Sequence, residues 1–169
     1  RILKKMNRKY TKENIIDLIT KVRKKIPDVA ITTDIIVGFP GETEEDFQDT
    51  LEVVKACKFD SAFSFIYSIR TGTPAAEMTD QIPDDIKHDR LNRLLEVLRE
   101  LSRGLNLKYE GRILPVLVEE PSKNNEERLS GRTETGKIVN FDGDFSMIGK
   151  IVRVKITEAK SFSLNGEQV

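Results

Sequence analysis

Between Thr11 and Lys25 apolar residues recur at Ile15, Leu18, Ile19 and Val22, the 3.6-residue spacing of a helix buried along one stripe. Thr11 stands where a capping hydroxyl belongs, and Ile26-Pro27-Asp28 ends the pattern. The period then changes. Val29–Val37 is rich in β-branched residues and almost continuously apolar, which predicts a parallel strand covered on both faces. Phe47, Leu51 and Val54 return to helical spacing. Thr43 with Asp46 three residues later makes a capping box, and the acidic first turn suits the helix dipole. Asp60–Tyr67 reads as a second strand, followed by the loop Ser68–Pro74. Helix, strand, helix, strand, loop is the alternation of a parallel sheet or barrel. Two strands cannot close a barrel, so further strands are expected upstream.

Ile82-Pro83-Asp84 opens a long helix reaching about Asn106, with Leu91, Leu94, Leu95, Leu98, Leu101 and Leu105 on one face. It is expected to bridge two domains. Beyond it the pattern becomes short β-type runs: Gly111–Glu119, Leu129–Thr133, Lys137–Phe141, Gly149–Ala159 and Ser161–Leu164. Pro121–Asn125, Thr135-Gly136, Asp142-Gly143-Asp144 and Asn165-Gly166 separate them. Five short strands in so few residues predict a small antiparallel barrel of the OB type. The expected division is therefore an α/β domain over residues 1–106 and an all-β barrel over residues 107–169.

Composition narrows the class. The 169 residues are 33% charged and 38% hydrophobic with a formal net charge of zero, a globular balance. No apolar run approaches the length of a membrane span, and no signal-type segment follows Arg1. The abrupt start in mid-element leads us to expect a piece of a longer protein. Cys57 and His88 are each alone, too few for a metal site or an iron–sulfur cluster. Cys57 reads as a small, partly buried helix residue and His88 as a solvated one.

Charge is uneven. Residues 1–25 carry ten Lys and Arg, Arg8 and Lys9 among them, against Glu13 and Asp17. The cluster is either a polyanion contact or a solvated helix face. In the barrel, Arg128, Arg132, Lys137, Lys150, Arg153, Lys155 and Lys160 are interleaved with Phe141, Phe145 and Phe162, a mixture that suits single-stranded nucleic acid. Nearby acids exclude a uniformly basic surface and leave room for a focused patch.

The richest stretch is Thr32–Phe47, a strand, a Gly/Pro loop and an acidic helix start. Ligands of α/β proteins sit at the carboxyl ends of parallel strands. A phosphate cradle wants glycines followed by Lys-Ser/Thr, whereas Glu42, Glu44, Glu45 and Asp46 would repel a phosphate. Tyr67, Ser68, Arg70 and Thr73 lie at the end of the next strand, and the planar fork of Arg70 suits a phosphate or a base.

Four ordered segments carry a family resemblance. They are Leu3–Thr11, Thr32–Phe47, Phe63–Ser68 with Arg70 and Gly72–Ala75, and Glu120–Lys123 through Gly131–Thr133 to Lys137–Phe141. Together they resemble the carboxyl-terminal part of the radical S-adenosylmethionine (SAM) methylthiotransferases, closest to the type that modifies tRNA. The resemblance runs along essentially the whole chain, and its last segment resembles a TRAM domain, a small RNA-binding barrel. It implies a partial (β/α) barrel ending in the two strands above. It also implies SAM and two 4Fe–4S clusters, whose cysteines this sequence lacks, so the chain is expected to be inactive alone. The implied substrate is an N6-isopentenyl-adenosine beside the tRNA anticodon, methylthiolated at C2 in the cytoplasm, with the remaining domains of the polypeptide as partners. Sibling families acting on threonylcarbamoyl-adenosine or on a ribosomal-protein aspartate share the layout. An RNA-binding module without chemistry is the reading from a different class.

By that resemblance Gly38 and Gly41 let backbone approach the adenosyl group. Phe39 stacks on adenine or packs in the core, and Glu42 makes a polar contact or stabilises the helix start. Asp34 is a cofactor candidate because an inward carboxylate needs a partner. Arg8, Lys9, Tyr67, Ser68, Arg70, Thr73, Arg132, Lys137 and Phe141 are the candidates for RNA. No residue is expected to be catalytic or to bind metal.

Overall fold

Thr11 and Thr43 each start a helix, as their spacing requires. In a computed structural model describing residues 1–122 and 125–169, with Glu126 described by its backbone alone, α1 spans Ile2–Lys5, α2 Lys12–Lys25 and α3 Glu44–Cys57. Thr11 Oγ1 accepts from Asn14 N at 3.3 Å while Asn14 Oδ1 accepts from Thr11 N at 3.0 Å. Thr43 Oγ1 accepts from Asp46 N at 3.2 Å, and Asp46 Oδ2 accepts from Thr43 N at 2.8 Å. Both are reciprocal capping boxes that satisfy amides the helix itself leaves unpaired. Helix α3 buries Phe47, Leu51, Val54 and Cys57. Arg23 of α2 donates to Lys58 O at 2.7 Å and Val29 O at 3.3 Å, placing a cation at the carboxyl end of α3.

The chain divides into two units, Arg1–Leu98 and Arg99–Val169. In the first, β1 (Thr32–Val37) and β2 (Ser61–Ile66) form a parallel two-stranded sheet with Asp34 opposite Phe63 and Ile36 opposite Phe65. The expected cover on both faces is not found. Burial alternates along both strands, so Asp34, Ile36, Phe63 and Phe65 share an exposed face while Val37 reaches the core. The near-continuous apolar run encodes two different faces, and only one is covered within the described residues.

Helix α4 (Asp84–Leu107) runs across the boundary between the units. Leu94 and Leu98 of its leucine stripe are buried, whereas Leu95 is exposed. In the second unit β3 (Ile113–Ser122), β4 (Asn125–Thr133), β5 (Ile138–Asp142), β6 (Ile151–Ala159) and β7 (Leu164–Gln168) close a barrel in the order β3-β4-β5-β7-β6. The β5–β7 pair is parallel and the other four pairs are antiparallel, which corrects the expectation of a wholly antiparallel barrel. Val116, Val118, Leu129, Val139, Phe141, Val154, Ile156 and Leu164 fill it.

Asn165-Gly166, read as a turn, lies inside β7 opposite Asn140 and Phe141. The glycine answers a steric demand there. A Cβ on Gly166 would stand 2.5 Å from Val154 Cγ1 and 2.6 Å from Lys155 O, so the close approach of β6 requires its absence. Among the described residues no helix is long and apolar enough to cross a membrane.

Candidate functional site: a cleft at the carboxyl ends of two parallel strands

The loop after β1 turns on two glycines with left-handed backbone, Gly38 (φ +73°) and Gly41 (φ +76°). Another residue at either position would pay for that conformation. Gly38 is also closely packed, because a Cβ there would run into the aliphatic stem of Lys87, nearest at Cγ. Gly41 N donates to Asp80 O at 2.8 Å, and Arg1 Nη2 donates to Gly41 O at 2.8 Å. The two glycines therefore serve packing within this unit.

Glu42 is buried, and its carboxylate is engaged. Oε1 accepts from Gly38 N at 3.0 Å and from Arg90 Nη1 at 2.9 Å, and the same Arg90 nitrogen donates to Glu42 O at 3.1 Å. Burial pushes the Glu42 carboxyl above its ordinary value, against the Gly38 amide and the Arg90 charge, which pull it down. Glu44 is exposed and held down to about 2 by hydrogen bonds from Arg93 and Gln48. Asp46 forms an ion pair with Arg1. Three of the four acids expected to repel a phosphate are thus paired with cations. Glu42, Glu44 and Asp46 therefore do not repel an anion by bare charge, contrary to the expectation from sequence.

These elements line a cleft of about 1330 Å³ that collects many of the candidates. Asp34 and Ile36 come from β1, and Phe39 and Glu42 from the loop. Tyr67, Ser68, Arg70 and Thr73 come from the segment after β2, and Arg8 and Lys9 from the turn after α1. Phe39 packs edge-to-face on Tyr67, with ring centroids 5.1 Å apart. Tyr67 Oη is buried without a hydrogen-bond partner among the described residues. Thr73 Oγ1 donates to Arg70 O at 2.8 Å, shaping the loop locally. Ser68, Arg70, Arg8 and Lys9 are exposed. Other cations of the basic amino-terminal stretch are already paired, Lys5 with Asp80 and Lys12 with Asp49.

The barrel candidates are dispersed. Arg132 is exposed and donates from Nε to Glu119 Oε2 at 3.0 Å. Lys137 is buried, and its backbone amide donates to Thr133 Oγ1 at 3.0 Å. Phe141 is fully buried in the barrel core, so its ring offers no face to a base, and its assignment as an RNA contact is corrected. Exposed rings are instead Phe145 at 49% and Phe162 at 70%. Lys123 lies outside the described residues. The outward face of β3 and β6 sets Leu117 opposite Ile151 on one side and Arg132 on the other, with Pro115 opposite Arg153.

Lys87 and Arg90 escaped the sequence reading. Both lie on the buried side of α4, where stepping back from Leu98 and Leu94 by helical turns reaches Leu91, Arg90 and Lys87. Two cations continuing a leucine stripe were the available signal.

Comparison with known proteins agrees with this geometry. The Radical SAM superfamily profile matches residues 1–54 and the TRAM domain profile matches residues 107–169. A tRNA-2-methylthio-N(6)-dimethylallyladenosine synthase of Clostridium botulinum (strain Okra / Type B1) is 60% identical over 168 residues, 99% of this chain and 37% of its own length. Along nearly its whole length the chain is similar to a synthase of that name. Synthases of the same name from Clostridium tetani (strain Massachusetts / E88) and Alkaliphilus oremlandii (strain OhILAs) are 59% and 55% identical. They are matched over 100% and 99% of this chain, and over 37% and 36% of their own lengths. The chain thus spans little more than a third of the relatives it matches.

The iron–sulfur clusters implied by the resemblance do not fit the residues present. Cys57, the single cysteine, is buried on α3 with its thiol pushed up by burial, away from the thiolate a cluster needs. Among the described residues no three His, Cys, Asp or Glu side chains gather as a metal site.

Proposed function

We propose that this chain works within a tRNA-2-methylthio-N(6)-dimethylallyladenosine synthase, with cluster ligands supplied from outside these 169 residues. The carrying observation is identity of 55–60% along nearly the whole chain to synthases of that name. Its first unit is the closing segment of a partial (β/α) barrel, with β1 and β2 as the last strands. Its second unit is an RNA-binding TRAM barrel.

The cleft suits SAM. Ile36 and Phe39 give apolar wall for an adenosyl group, the Asp34 carboxylate is exposed to a cationic ligand, and the Tyr67 hydroxyl awaits a partner. SAM and the clusters, when bound, supply the radical and sulfur-transfer chemistry. The residues of this chain orient the ligand and keep water from it. Arg8, Lys9 and Arg70 on the cleft rim meet phosphates of the anticodon stem-loop, and on the barrel Arg132 and Arg153 are RNA contacts in their own right. Phosphate contact of this kind supplies affinity and register, leaving base identity to the cleft. The reaction takes place in the cytoplasm.

Titrating a labelled anticodon stem-loop with the chain at several salt concentrations tests the RNA half of this reading. Affinity falls with a slope of about −0.7 per phosphate contacted on single-stranded RNA. Absent or salt-insensitive binding refutes it.

A further inference from the structure

The glycine loop is fastened from behind by α4. Arg90 and Glu42 side chains are 6% and 4% exposed, a buried ion pair joining segments 48 residues apart. Glu42 Oε1 also takes the Gly38 amide, and Arg90 Nη1 also takes the Glu42 carbonyl. One guanidinium and one carboxylate therefore fix both ends of the five-residue loop. Lys87, one turn earlier, lays its stem on Gly38 and turns its ammonium to Asp84 Oδ1 at 3.1 Å. Between these fastened ends stands Phe39, whose ring packs on Tyr67 at the cleft wall.

A buried ion pair is a poor device for stability. Desolvating two charges offsets most of their attraction, and an apolar pair of similar volume often does as well. What the pair gives here is geometry, because one guanidinium nitrogen, Nη1, reaches both the carboxylate and the carbonyl of Glu42 while that carboxylate also holds the Gly38 amide. The remaining charged groups around it do not replace that function. Glu44 Oε2 is 3.8 Å from Arg90 Nε and is itself taken by Arg93, and Asp46 is held by Thr43 and Arg1.

We propose that Arg90 is a positioning residue for the SAM site, acting through Glu42 to hold the Gly38–Glu42 loop so that Phe39 and Tyr67 form the adenosyl wall. The proposal rests on the SAM reading of the cleft. Arg90 touches neither cofactor nor substrate. The loop conformation that the cofactor meets is thus set by a helix later in the chain.

The test compares the wild type with Arg90→Met, Arg90→Lys and the double variant Glu42→Gln/Arg90→Met. Three quantities are read: SAM affinity by calorimetry on the cluster-loaded full protein, stem-loop affinity on the same protein, and hydrogen exchange at the Gly38 amide in this chain. Arg90→Met weakens SAM binding at least tenfold, leaves stem-loop affinity within twofold, and accelerates Gly38 exchange at least tenfold. Arg90→Lys keeps the charge without the rigid, planar guanidinium that carries Nη1 to both Glu42 oxygens, and recovers only part of the SAM affinity. The double variant keeps an acceptor for Gly38 N with no buried charge left over, and returns SAM affinity to within threefold of wild type. Unchanged SAM affinity in Arg90→Met overturns the proposal while sparing the functional reading. Equal loss of SAM and stem-loop binding in every variant marks general unfolding and overturns it too. A wild type that binds no SAM removes the functional reading and the proposal together.

Discussion

Replacing Phe141 separates a core residue from a base-stacking one. Its side chain is fully buried among Leu129, Val139, Leu164 and their neighbours in the barrel core. Truncating a buried phenylalanine to alanine costs about 3–5 kcal/mol, from lost transfer energy and from the cavity left behind. A domain the size of Arg99–Val169 has about 4–11 kcal/mol in total, at roughly 0.05–0.15 kcal/mol per residue. Phe141→Ala therefore removes about a quarter or more of the barrel's stability and unfolds it at the lower limit. Phe141→Leu, which keeps most of the volume, costs less than about 1.5 kcal/mol and leaves the barrel folded. Phe162→Ala changes stability by less than about 0.5 kcal/mol, because that ring is already in solvent. The assay is urea denaturation followed by amide exchange at Val116 and Val154, which reports on the barrel separately from the first unit. Stem-loop affinity is measured on each folded variant. If Phe141→Leu keeps its amide protection yet loses about 1–3 kcal/mol of RNA affinity, the value of a stacked base, the ring reaches RNA and the argument from burial fails.

Gly166→Ala presses a methyl group against Val154 and the β6 backbone; it should cost about 1–3 kcal/mol by overpacking and weaken protection of β6 and β7 first. Glu44 titrates near pH 2, so its contribution is present above the ordinary value of 4.5 and is lost as pH falls toward 2. Arg93→Gln returns the Glu44 midpoint, read from its side-chain carbonyl carbon by NMR, toward 4.5; an unmoved midpoint contradicts the pairing. Arg153 makes no ion pair among the described residues and stands exposed on the β3–β6 face. Arg153→Ala and Arg132→Ala each reduce the salt slope of stem-loop binding by about 0.7, one phosphate contact, whereas Lys137→Ala, at a buried position, lowers the melting temperature as well as the affinity.

Local signals in the sequence were reliable where short-range physics decides. The Thr11 cap, the Thr43–Asp46 capping box, the α3 stripe of Phe47, Leu51 and Val54, and the end of α2 follow from residues three or four apart, and the structure keeps them. The barrel's strand count was legible from its turns. Asn165-Gly166 was not, because a glycine demanded by Val154 across the barrel looks the same in sequence as one demanded by a turn. The cleft was partly legible, since the ends of parallel strands mark where side chains converge. Its electrostatics were not. The pairing of Glu42 with Arg90, Glu44 with Arg93 and Asp46 with Arg1 joins residues more than 40 positions apart. Counting acids along Glu42–Asp46 therefore overstated the negative field. Phe141 misled for the same reason, because its place among basic residues in sequence says nothing of which face of β5 it occupies.

The central claim is that this chain serves the methylthiolation of N(6)-dimethylallyladenosine in tRNA. Nucleoside analysis by mass spectrometry is its most direct measurement, on tRNA from cells in which the full protein is the sole methylthiotransferase. The account predicts 2-methylthio-N(6)-dimethylallyladenosine, and its loss when the gene segment encoding these residues is deleted. Methylthiolation confined to threonylcarbamoyl-adenosine or to a ribosomal-protein aspartate, or tRNA with no methylthio nucleoside, would contradict it.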